Sequence, residues 1–198
     1  MWSGGTRPAS WGRGRVPHGF LMNEIGVLGL GNVLMGDDAF GPYVIKHLES
    51  AFRFPPPVLV LDAGTPGLDL TVHIRGLRAL IVADAVKAPG PPGEVRLYRK
   101  ADLLKAAPTL RMGPHEPGLR EALLTLEFSG GAPEEVLLVG AIPDDVVYRV
   151  GLSAPVQEAV PAAVAEILHE LDRLGAPAEP RETPLAMDLW WEAVEGER

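Results

Sequence analysis

Two aspartates and one histidine carry the chemistry that this sequence offers. Asp38 closes the turn Gly29-Leu30-Gly31-Asn32-Val33-Leu34-Met35-Gly36-Asp37-Asp38, which follows the first apolar run. Asp84 ends the third such run, Ala79-Leu80-Ile81-Val82-Ala83, and a carboxylate in that position must be hydrogen-bonded, ion-paired or metal-bound, because burying it bare costs several kcal/mol. His115 stands in Met112-Gly113-Pro114-His115-Glu116-Pro117-Gly118, where closely spaced prolines and glycines fix an irregular loop, a common setting for a functional side chain. Together they make an oxygen and nitrogen donor set suited to nickel, zinc, iron or manganese with coordination positions left open. Asp37 is the substitute for Asp38, and one of these two acids is expected to cap the helix that follows. The remaining histidines fall in the N-terminal tail (His18) or within helical patterns (His47, His73, His169).

Other chemistries lack their residues. A dinucleotide fingerprint needs glycine where Leu34 stands, and a phosphate loop needs Lys and Ser/Thr where Asp37 and Asp38 would repel a triphosphate. The sequence has no G-x-S-x-G elbow and no H-E-x-x-H helix; Ser50, Ser129 and Ser153 occupy contexts of a helix end, a Gly-Gly loop and a helix cap. The absence of cysteine removes disulfides, thiolate nucleophiles and cysteine-held metals.

The elements that must position the trio follow from periodicity. Apolar runs at 24–30, 58–61, 79–83 and 135–142 read as buried strands, with a further alternating strand over 94–98. Helical spacing covers Phe40 to Phe52, a short stretch from Leu68 to Ile74, Gly118 to Leu126, and a long amphipathic helix from Val156 to Leu174 with a bend expected at Pro161. Strands apolar on both faces and alternating with helices imply an α/β layered fold with a mainly parallel sheet of five strands. In such sheets functional groups gather beyond the carboxyl ends of the strands, which is where Asp38 and Asp84 lie.

At 198 residues and 46% hydrophobic, the chain has enough apolar material for one core, here assigned to residues 24–175 as a single catalytic domain. A net charge of −8 and a pI near 5.1 exclude a nucleic-acid footprint, and no run approaches the ~20 apolar residues that span a bilayer. Residues 1–23, rich in Gly, Arg, Pro and Trp, lack the apolar stretch of a signal peptide. They read as a disordered extension or a misplaced start, with Met22 as the true first residue. Residues 176–198 read as a peripheral tail in which Trp190 and Trp191 suggest a docked amphipathic segment.

Val27-Leu28-Gly29-Leu30-Gly31-Asn32 through Asp37-Asp38, with Gly41 following, closely resembles the opening signature of the hydrogenase maturation proteases. Asp62-Ala63-Gly64-Thr65-Pro66-Gly67, Ile81-Val82-Ala83-Asp84-Ala85, Pro114-His115 with Gly118-Leu119, Gly140-Ala141-Ile142-Pro143 and Gly151-Leu152-Ser153 resemble further blocks of that family, in the same order, over roughly residues 24–175. The resemblance implies a three-layer, phosphorylase/hydrolase-like α/β fold, a twisted, mainly parallel five-stranded sheet between helices, and a cytoplasmic, aspartic-type endopeptidase that activates its substrate. That substrate would be a nickel-loaded [NiFe]-hydrogenase large-subunit precursor, trimmed of its C-terminal extension, with nickel supplied by the precursor's own metal centre. The resemblance also implies that Asp38, Asp84 and His115 contact the metal and serve catalysis. The first of these is often Glu in the family, so Asp38 here has a shorter arm. Nickel acting as a Lewis acid and a carboxylate acting as general base are both open routes. Asp62 is expected to hold the Gly64-Thr65 turn. A non-catalytic nickel-site scaffold and a metal-dependent small-molecule hydrolase are the alternatives.

Overall fold

Four short apolar runs pair side by side in the computed structural model, which describes residues 24–66, 69–105 and 118–193. β1 (Ile25–Leu30) lies between β3 (Val58–Gly64) and β4 (Ala79–Ala85), both parallel to it. β4 pairs in parallel with β6 (Glu135–Ala141), and β5 (Val95–Arg99) closes the far edge antiparallel to β6, giving the order β3-β1-β4-β6-β5. The sheet is thus five-stranded and mainly parallel. A separate pair joins β2 (Phe52–Arg53) to β7 (Glu179–Pro180).

Continuous hydrophobicity in the central strands is explained by burial on both faces. On one face Val27, Ile81, Leu137 and Val139 pack against α1 (Phe40–Ala51) and α5 (Ala154–Arg173). On the other, Leu28, Val82, Val136 and Leu138 meet α2 (Leu70–Ile74), α3 (Lys100–Lys105) and α4 (Leu119–Ser129). Neighbours in sequence therefore serve different cores, as a two-residue period requires. α5 continues as one helix through Pro161.

The connections fix where a site can form. From β1 the chain crosses by α1 to β3 on one side; from β3 it crosses back by α2 to β4 on the other side of β1. The carboxyl ends of β1 and β4 therefore flank the point at which the strand order reverses, the usual crevice of an open α/β sheet. Gly41 holds this crevice tight: a side chain there would strike the backbone carbonyls of Leu30 and Ala83, so only glycine lets α1 sit down on both strand ends.

The C-terminal segment returns across α1. Trp191, on α6 (Trp190–Ala193), is 1% exposed and meets Tyr43 edge-to-face with ring centroids 5.5 Å apart. The Tyr43 hydroxyl donates to Glu192, and burial together with that bond pushes its pKa up to about 12.

Candidate active site

Beyond β1 the chain turns through Gly31 and a short 3-10 turn, Gly36–Ala39, that packs against β4. Gly31 has φ +134°, and a Cβ there would collide with the carbonyl of Asp38, so the glycine permits the close return. Asp38 is half-buried, and its Oδ2 accepts the Asn32 backbone N–H at 2.9 Å. Burial raises its carboxyl above the ordinary range, partly opposed by that N–H. Asp84, 2% exposed, sits in register with Gly140 of β6 and one residue past Ala83, the partner of Gly29. The turn bearing Asp38 and the strand end bearing Asp84 are thus brought together at the switch point. His115, the third candidate, lies outside the described residues.

Asp37 and Asp38 have separate surroundings, and neither caps α1. Asp37 is wholly buried, and its two oxygens are taken by one distant loop. Oδ2 accepts Asp144 N–H at 2.8 Å, Asp145 N–H at 3.3 Å and the Ser153 hydroxyl at 2.8 Å, while Oδ1 accepts Ser153 N–H at 2.6 Å. The Arg149 guanidinium stands 3.9 Å away and pairs with Asp145 at 2.8 Å. Asp37 therefore anchors residues 144–153 beneath the turn that carries Asp38. Ser153 occupies the N-cap position of α5, as its context suggests, but spends its hydroxyl on Asp37 and makes no capping bond.

Asp62, at the end of β3, accepts the Gly64 N–H on Oδ1 at 3.0 Å and holds its own turn; burial raises its carboxyl, against the lowering effects of that N–H and Lys46. Sequence reasoning missed the Asp37 anchor because its partners lie more than a hundred residues away and carry no local signature. The adjacent acids were the available signal, since one helix start needs one cap. Among the described residues no three His, Asp or Glu side chains gather into a metal-type cluster.

Residues 42–170 match the family model described as hydrogenase maturation protease. The Hydrogenase 2 maturation protease of Escherichia coli is 35% identical over 157 residues, covering 79% of this chain and 95% of its own length. Among solved structures, the hydrogenase maturating endopeptidase HybD of Escherichia coli superposes with a TM-score of 0.73 at 33% identity, over 80% of this chain and 98% of that one. A hydrogenase 2 maturation peptidase from a Thaumarchaeota archaeon gives 0.58 at 34% identity, over 75% and 98%. With the family model spanning well over half of its length and a curated relative matched almost end to end, this chain belongs to the hydrogenase maturation protease family.

Proposed function

We propose that the chain removes the C-terminal extension of a nickel-loaded [NiFe]-hydrogenase large-subunit precursor, in the cytoplasm where that precursor is made, using Asp38, Asp84 and His115. Family membership makes it a peptidase of hydrogenase maturation; the precursor, the nickel and the residues are the proposal. The observation that carries it is the meeting of the Asp38 turn with the Asp84 strand end at the switch point, where a docked metal centre would find two carboxylates from different elements. Nickel is part of the substrate. Its contact with the trio would make cleavage conditional on metal insertion and would hold the scissile peptide beside the acids. Oxygen donors on Asp38 and Asp84 with one imidazole suit such an ion and leave positions for its native ligands. Of the two first-loop acids, Asp38 takes this role because Asp37 is fully engaged by residues 144–153.

Intact mass of the nickel-loaded precursor from the same genome, before and after incubation, tests this directly. Loss of one discrete C-terminal peptide by the native chain, and none by His115→Ala with an unchanged melting temperature, is expected. Normal cleavage by His115→Ala would remove that residue from the site. Binding without any loss of mass would replace the peptidase with a scaffold.

A further inference from the structure

The loop that Asp37 anchors exposes an unusual run of apolar side chains. Val146, Val147 and Tyr148 are 46%, 49% and 79% exposed, and Leu34, 41% exposed, lies alongside them. The adjacency is built by backbone bonds: Arg149 N–H donates to the Leu34 carbonyl at 3.0 Å, Gly36 N–H to the Arg149 carbonyl at 2.8 Å, and Asp37 N–H to the Asp145 carbonyl at 3.3 Å. Single exposed apolar residues are ordinary, whereas a contiguous group on a backbone pinned this firmly is a preorganised contact surface. It begins four residues before Asp38. Its rim is acidic: Asp144 is exposed, Asp145 and Asp38 are half-exposed, and the nearby cation, Arg149, is bound to Asp145.

We propose that Leu34, Val146, Val147 and Tyr148 form the surface on which an apolar stretch of the precursor polypeptide, flanked by Lys or Arg, docks before cleavage. The proposal rests on the reading that the chain cuts a precursor. Continuity with the Asp38 turn, to which the loop is bonded through Leu34, Gly36 and Asp37, commits the occupant to substrate. The acidic rim fixes the flanking charge, since like charges across an interface disfavour association. Val146 to Tyr148 would then set KM for the precursor and leave the chemical step to the crevice.

The test compares steady-state cleavage of purified nickel-loaded precursor by the native chain, by the double variant Val147→Asp with Tyr148→Asp, and by Phe128→Asp. Phe128 is 96% exposed at the end of α4, by the amino-terminal edge of the sheet, and controls for adding an acid to an exposed apolar site. A KM raised about tenfold or more in the double variant, with kcat within about twofold and Phe128→Asp unchanged, supports the surface. Equal KM for all three overturns it while leaving the peptidase reading intact. A native chain that neither binds nor cuts the precursor overturns the reading and this surface with it. If the double variant melts early, Tyr148→Ala alone carries the same comparison, with a KM rise of about threefold expected and an unchanged KM overturning the surface. For the rim, Asp144→Asn should flatten the rise of KM with salt; an unaltered salt dependence overturns the basic flank.

Discussion

Adjacent aspartates in this chain differ in what neutralising each would cost. Asp38 receives one backbone N–H and is half-exposed, so Asp38→Asn should change unfolding free energy by less than about 1 kcal/mol while abolishing precursor cleavage. Asp37 is wholly buried and accepts four donors from residues 144–153. In Asp37→Asn one of the two oxygens becomes an NH2 group facing N–H and O–H donors, and the attraction to Arg149 is lost. A destabilisation of about 2–4 kcal/mol is expected in urea titrations, with faster hydrogen exchange at Asp144, Asp145 and Ser153. Equal stability losses in the two variants would contradict the division of labour. The two residues are chemically identical in the sequence; the fold distinguishes them by burial and by the direction from which donors arrive.

At the scale of elements, the C-terminal segment completes α1. A helix ends with carbonyls that have no partner within it, and here the returning chain supplies partners. Arg181 N–H donates to the Ala51 carbonyl at 2.8 Å, Leu185 N–H to the Ser50 carbonyl at 2.9 Å, and Arg181 Nε to the Glu49 carbonyl at 3.2 Å, while the Ser50 hydroxyl donates to the Leu185 carbonyl at 2.5 Å. The Arg181 cation at this end also suits the helix dipole. Trp191 then fills the α1 side of the core against Tyr43. Trp191→Ala should therefore lower unfolding free energy by about 3 kcal/mol in a single transition seen by both far-ultraviolet dichroism and the remaining tryptophans; an unchanged midpoint would mean that the segment detaches without consequence for α1. Little of this docking was legible from sequence, beyond the hint of Trp190 and Trp191, because a two-residue pair such as β2 with β7 has no periodicity to detect. The strands at 25–30, 79–85 and 135–141 were legible, since burial on both faces writes an uninterrupted apolar run; the run at 58–61 also marks a strand, but one at the sheet edge that is only half-buried beyond Val58. So was Asp84, a charge ending such a run. Strand order and the union of Asp37 with Ser153 were not, because they are set by packing between segments distant along the chain.

Over the whole molecule, one buried carboxylate ties the far edge of the sheet to the longest helix. Glu170 of α5 is 3% exposed and is held by Arg99, at the end of β5, through bonds of 2.5 and 3.0 Å, and by Arg173 through bonds of 3.0 and 2.8 Å. Arg173 also pairs with Glu135 at the start of β6, so β5, β6 and α5 meet in one network. Burial alone would raise the Glu170 carboxyl, but the hydrogen bonds from Arg173 and Arg99 outweigh it and hold the pKa at about 2 against an ordinary 4.5. Because the folded pKa lies below the unfolded one, the contribution is fully present above about pH 4.5 and disappears as pH falls through 4.5 toward 2. Its size is at most on the order of 3 kcal/mol, since both arginines reach in from the surface and share their charge with solvent. Acid also titrates the many other carboxylates of a chain with net charge −8, so the midpoint of the native chain alone is a mixed signal. The difference between the native chain and Glu170→Gln isolates the network. Urea unfolding at pH 7, 5, 4 and 3 should show a gap that is constant down to about pH 5 and narrows steadily below it. A gap that persists undiminished at pH 3 would mean that Glu170 holds β5 and α5 together by shape and neutral hydrogen bonds, and that its charge contributes nothing to joining the edge of the sheet to the core.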